Sequence, residues 1–158
     1  MSDIKAVIIQ CGQEEYALPI DTVVSIEKLE RVNPIPHLPE YMLGLMKIRG
    51  ELVPILDFQQ ILYGNSAKNN PNSKVVVVQT DNLYIGLLVL DAKEILDIPK
   101  SKLTSSGLMA YSRTPYFKTV ANLEDRLITV VDAEMLSRTL SEIDKIEEYL
   151  QTEPMQEK

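Results

Sequence analysis

One cysteine, one histidine and a shortage of positive charge exclude several functions before any pattern is considered. Cys11 alone cannot form an internal disulfide, and a lone thiol fits a reducing compartment. With one Cys and one His, no zinc-type cluster of soft ligands can assemble. His37 stands between Pro36 and Leu38 and reads as a surface loop residue; a Ser-His-Asp arrangement would rest on it alone. Glycine-rich phosphate-binding motifs and a Gly-x-Ser-x-Gly element are missing. The adjacent carboxylates Glu14-Glu15 and Glu147-Glu148 lie in polar stretches and read as solvated surface. No residue pattern here supports catalysis or a cofactor.

Lys and Arg number 16 against 23 Asp and Glu, a net charge of −7, with no basic stripe. Nucleic acid or an anionic membrane surface is therefore not the expected partner, since both require clustered cations. No apolar run is long enough to span a bilayer, and the N-terminus lacks the basic and apolar regions of a secretory signal. A soluble, cytoplasmic protein without membrane insertion is expected. Its 158 residues, 45% hydrophobic, suffice for one compact domain or two small, closely packed units.

What the chain does have is a punctuated stretch at residues 39–63. Pro39 suits the first position of a short turn, and Gly44 can release it. Two extended segments, 45–49 and 52–56, meet at Gly50, which tolerates the positive φ of a tight reversal. Asp57 can accept from the first N–H groups of a following helix, and Gly64 can close that helix. The same syntax returns 75 positions later, at residues 116–132: Tyr41 falls on Tyr116, Ile48 on Leu123, Ile55-Leu56 on Val130-Val131 and Asp57 on Asp132. A weaker echo relates residues 16–21 to 84–91, followed by Ile26-Glu27 and Ile95-Leu96 respectively. Two related β units are the simplest reading.

The remaining segments fit around these. Residues 4–11 and the four valines Val75 to Val78 read as buried strands, and Asp81-Asn82 as a hairpin turn. For residues 21–29 the branched side chains favour strand, although Asp21 could first cap one helical turn. Residues 32–39, with Pro34, Pro36 and Pro39, read as an extended connection, 64–73 as the joint between units, and 99–115 as a long polar loop. Met135, Leu136, Leu140, Ile143, Ile146 and Leu150 lie near helical spacing and predict an amphipathic C-terminal helix, with 151–158 a flexible tail.

Residues 41–57, Tyr-Met-Leu-Gly-Leu-Met-Lys-Ile-Arg-Gly-Glu-Leu-Val-Pro-Ile-Leu-Asp, resemble the signature segment of the CheW family of bacterial chemotaxis coupling proteins. So do Glu15-Tyr16, Ile20-Asp21, Ile26-Glu27, residues 85–89 and residues 125–132, in the family's order over most of residues 4–140. Lys47-Ile48 departs from the family's usual Asn-Leu. The resemblance implies a mainly β fold of two packed, five-stranded SH3-like barrels around a shared hydrophobic core, with short helices including a C-terminal one. It implies a single domain over residues 1–150, with one barrel at about 12–80 and the other at about 81–150, the strand at 4–11 being a candidate member of the second.

It further implies a scaffold rather than an enzyme, with no cofactor and no metal. Its partners would be the cytoplasmic tip of methyl-accepting chemoreceptors and the regulatory domain of the histidine kinase CheA, and it would be recruited to receptor arrays at the membrane. Arg49 and Glu27 are expected to pair, because a guanidinium on an apolar strand wants a carboxylate fork. Val24, Ile26 and Ile48, with Glu27 and Arg49, are expected to line a groove that takes the receptor's helical hairpin, Leu43 and Met46 having a weaker claim. A scaffold of a related surface-motility pathway and a small ligand-binding β-barrel module are the alternatives.

Overall fold

The computed structural model describes residues 2–81, 83–107 and 114–140. Its elements in chain order are β1 (Ile4–Cys11), β2 (Glu14–Pro19), β3 (Val23–Glu27), β4 (Met42–Ile48), β5 (Glu51–Asp57), α1 (Phe58–Tyr63), β6 (Lys74–Gln79), β7 (Tyr84–Val89), β8 (Asp91–Ile98), β9 (Leu103–Ser105), β10 (Thr119–Asn122), β11 (Leu127–Val130) and α2 (Ala133–Thr139). They make a six-stranded sheet, β8-β1-β2-β11-β10-β9, and a five-stranded sheet, β3-β6-β7-β5-β4. The chain is mainly β, and the two sheets pack on each other.

The 75-residue echo is a register in the structure. Gly44, Leu45, Met46 and Lys47 pair with Ile55, Pro54, Val53 and Leu52. Thr119, Val120, Ala121 and Asn122, each 75 positions on, pair with Val130, Thr129, Ile128 and Leu127. Asp57 N–H donates to the Tyr41 carbonyl at 2.7 Å and Asp132 N–H to the Tyr116 carbonyl at 2.9 Å. Each aspartate then caps its helix, accepting from Gln60 N–H at 3.1 Å and from Met135 N–H at 3.0 Å. Asp57 is fully buried and also accepts from the Ser66 hydroxyl at 2.6 Å and from Ala67 N–H. Burial works against the Asp132 charge, but the Met135 N–H and the Lys118 ammonium outweigh it and hold its carboxyl below the usual range.

The upstream echo has an offset of 69. Ala17 stands beside Val130 as Gly86 stands beside Ile55. Val7 pairs with Ile95 as Val76 pairs with Ile26. The strands β1, β2, β8, β10 and β11 of one sheet are thus the counterparts of β6, β7, β3, β4 and β5 of the other. This corrects the division of the chain at about residue 80. Residues 23–89 build the five-stranded sheet without interruption, and the six-stranded sheet takes its strands from 4–19 and 91–130. Repetition shows which segments are alike; hydrogen bonding across the chain decides which of them share a sheet.

The core follows the same logic. The shared interior holds counterparts from both units: Val7 and Val76, Leu18 and Leu87, Leu56 and Val131, Met42 and Phe117. Each sheet also has its own smaller cluster, one around Met46, Val53, Val75 and Val77, the other around Ala121, Ile128, Ala6 and Ile8. Burial of these aliphatic side chains, at about 1.5–3 kcal/mol each, is the main force holding the sheets together.

Two local expectations change, and a third is only partly covered by the described residues. The polar loop at 99–115 contains the short edge strand β9, which Ser and Thr disguise in sequence. The turn before β3 is a 3-10 turn at Ile20–Thr22 that Asp21 lies within rather than caps. Of the C-terminal stripe, Met135 and Leu136 lie in α2, Leu140 follows it, and Ile143, Ile146 and Leu150 fall outside the described residues.

The six-stranded sheet carries an ionic staple across its strands. Arg126 forks onto Glu15 with bonds of 3.0 and 3.2 Å and reaches Glu94 at 2.6 Å, while Lys93 meets Glu15 at 3.1 Å. The hydrogen-bonded guanidinium holds the Glu15 carboxyl below its usual range, against the opposing effect of burial. A depressed carboxylate contributes stability above its unfolded value of about 4.3, and loses it as pH falls through the lower folded value. Glu15→Gln should therefore flatten the acid limb of a urea-midpoint profile taken between neutral pH and about pH 3. An acid limb as steep as the parent's would show that the staple does not contribute.

Candidate functional site

Strand β3 inverts the usual alternation. Val24 and Ile26 point outward, each 44% exposed, while Ser25 and Glu27 turn toward the interior. Polar-in and apolar-out is costly in water, so such a strand marks a face that something else covers. β3 is also the edge of its sheet, leaving one side of its backbone unpaired within that sheet.

Opposite it stands the edge of the other sheet, β8, where Ile95 is 58% exposed. Ile26, Ile95, Val7, Ala92, Lys93 and Glu94 together line a cavity of about 180 Å³ between the two edge strands. Ile95 is absent from the sequence-based set, although the Ile26 and Ile95 echo carried the signal. Its position in the groove requires knowing that β3 and β8 face one cavity.

Glu27 and Arg49 are brought together, with Arg49 Nε 3.5 Å from Glu27 Oε2. Glu27 ends β3 and Arg49 directly follows β4, the outer strands of the five-stranded sheet, so the pair bridges its two edges. The surroundings differ from those expected. Arg49 is in the turn after β4, not in the strand; φ of 53° there and 85° at Gly50 give the two positive values that a right-twisted two-residue hairpin requires. The arginine side chain is 73% exposed against 26% for Glu27. Among the described residues, Glu27 Oε2 and Ser25 Oγ are buried without a hydrogen-bond partner, so the contact is ionic rather than a fork. Arg49→Ala should then shift the urea midpoint by the equivalent of about 1 kcal/mol or less, the range of exposed pairs. A loss of several kcal/mol would show that the pair behaves as a buried one.

Ile48 departs from the expected groove set. It is 6% exposed and packs inside the five-stranded unit with Met46, Val53 and Ile55. The pleat decides this: Lys47 takes the outward position and Ile48 the inward one. Met46 is equally internal, its sulfur accepting from Glu30 N–H at 3.5 Å, and Leu43 packs partly buried against the same cluster. On β3 and β8 the exposed apolar residues are therefore Val24, Ile26 and Ile95, with Glu27 and Arg49 at one end; Tyr63 and Leu127 are also exposed but lie on other elements.

Among the described residues no helix is long and apolar enough to cross a membrane. The family model described as CheW-like domain matches residues 5–141. The chain is 22% identical over 130 residues to the chemotaxis protein CheW of Bacillus subtilis, covering 82% of this chain and 83% of that one. It is 28% identical over 123 residues to CheW of Rhizobium meliloti, covering 77% and 79%. The crystal structure of the scaffolding protein TtCheW from Thermoanaerobacter tengcongensis superposes with a TM-score of 0.74 at 22% identity, over 83% of this chain and 89% of that one.

Proposed function

Because the chain belongs to the CheW family, whose members are chemotaxis scaffolds and not enzymes, we propose that it couples methyl-accepting chemoreceptors to the histidine kinase CheA. In this reading it works in the cytoplasm at receptor arrays and needs no cofactor, metal or nucleic acid. The observation that carries the proposal is the inverted strand β3. Ile26 faces Ile95 across a cavity between two sheet edges, with Val24 exposed on the same strand, an apolar surface on a protein that has no chemistry of its own. An amphipathic helical hairpin at a receptor's cytoplasmic tip would lay its apolar face there, and Glu27 with Arg49 would border the contact. The kinase side would use the ends of the sheets, away from this groove, where a related double-sheet domain can continue the strand packing.

Chemical-shift mapping tests the assignment. Titrating the isotope-labelled chain with a receptor cytoplasmic fragment should move the amides of residues 23–27 and 92–96. The CheA regulatory domain should move a different set. Receptor-induced shifts confined to α1, α2 and the sheet ends would place the receptor elsewhere.

A further inference from the structure

The groove lies where two copies of one motif meet. Ile26 and Ile95 are repeat counterparts and line the same cavity. A second cavity, of about 480 Å³, is lined by another pair of counterparts, Tyr41 and Tyr116, beside the two helices. A cavity bounded by a residue and its own repeat sits where the repeats face each other, and two such cavities mark an approximate internal two-fold axis. A helix laid across such an axis meets the same isoleucine contact whichever way it runs. Apolar burial has no direction, so the isoleucines hold a partner without orienting it.

Direction must come from counterparts that differ. Across the axis Ser25 corresponds to Glu94, which is engaged by Arg126 at 2.6 Å. Glu27 corresponds to Leu96, but its carboxylate turns inward beside Arg49. Val24 corresponds to Lys93, a methyl surface on one flank and an ammonium on the other. Lys93 is part-exposed and, among the described residues, meets one carboxylate, Glu15, which already holds the fork of Arg126. An ammonium has three donors, so Lys93 retains capacity for another acceptor.

Resting on the receptor-groove reading above, we infer that Lys93 fixes the direction of the bound helix by taking a carboxylate of the partner at the β8 flank. Val24 gives the opposite flank nothing to bind that charge. The partner is thus an amphipathic helix whose apolar stripe carries an acidic residue on one side only. A helix placed the other way would set its carboxylate against the Val24 methyls, where it would be desolvated without a donor.

A paramagnetic label reads the direction. A two-helix receptor fragment carrying one nitroxide at one end of its tip helix is titrated into the isotope-labelled chain, whose spectrum also reports folding. In the parent, broadening should be confined to one flank, around either Glu27 or Leu96. Lys93→Val should broaden both flanks and weaken binding by about two- to fivefold, the size of one part-exposed ion pair. Lys93→Arg should restore the single-flank pattern. Broadening of both flanks by the parent, or of a single flank by Lys93→Val, would overturn the role of Lys93 while leaving the groove in place. A fragment that binds without broadening either β3 or β8 would overturn the groove and this inference together.

Discussion

Gly44→Ala is expected to leave little folded protein at ordinary temperature. A Cβ at position 44 would lie 2.2 Å from the Asn33 carbonyl oxygen and 2.8 Å from its carbon and from Pro34 Cα, all backbone atoms that no rotamer change can move. The contact is close because Asn33 and Leu45 exchange two backbone bonds, of 2.8 and 2.9 Å, clamping the proline-bearing connection onto β4. Gly44 also has φ of 132°, at the register shift between Met42 and Gly44. The substitution must break the clamp or displace the strand, and we expect a loss of more than about 3 kcal/mol. Gly50→Ala separates the two causes. Its φ of 85° is also positive, but nothing lies within 4 Å of the added carbon, so only conformational strain of about 1–2 kcal/mol should appear. Urea denaturation of both variants decides. A Gly44→Ala midpoint equal to that of Gly50→Ala would mean that the Asn33 clamp contributes nothing.

The second large effect is on binding. Ile26→Lys should lower receptor affinity by more than about 100-fold, since an ammonium would enter an apolar contact unpaired. The change should not unfold the chain, because the side chain already stands 44% exposed. Ile48→Lys is the contrast: at 6% exposure it would bury a charge in the interior and lose the fold and both interactions together. The set is read by circular dichroism, then by titration with the receptor fragment and the CheA regulatory domain separately. Folded Ile26→Lys protein that binds the receptor fragment as well as the parent would remove β3 from the interface.

Much of this arrangement is legible in the sequence because hairpins and caps are local. The segment 41–57 announces its turn at Gly50 and its helix cap at Asp57, and its repeat at 116–132 lands on the same register. What the sequence conceals is tertiary. Tyr16 aligns by eye with Tyr84, one position from the structural offset of 69, which sets it against Ile85 and is fixed by strand pairing rather than by residue identity. The hairpin signals of β1-β2 and β6-β7 read the same whichever sheet receives them, so composition cannot show that residues 23–89 form one sheet alone. The groove is half legible for the same reason. Val24 and Ile26 look like any half-buried strand until the inward turn of Ser25 and Glu27 is seen, and Ile95 joins them only once the two edges face each other.

The central claim is bridging, and co-sedimentation tests it most directly. Receptor-bearing membranes are mixed with CheA and increasing amounts of this chain, and the kinase in the pellet is measured. The account predicts a saturable rise in pelleted CheA that requires the chain, and no rise with Ile26→Lys even though that variant still binds CheA in solution. CheA that pellets equally with and without the chain, or a chain that stays in the supernatant with the receptors present, would contradict it.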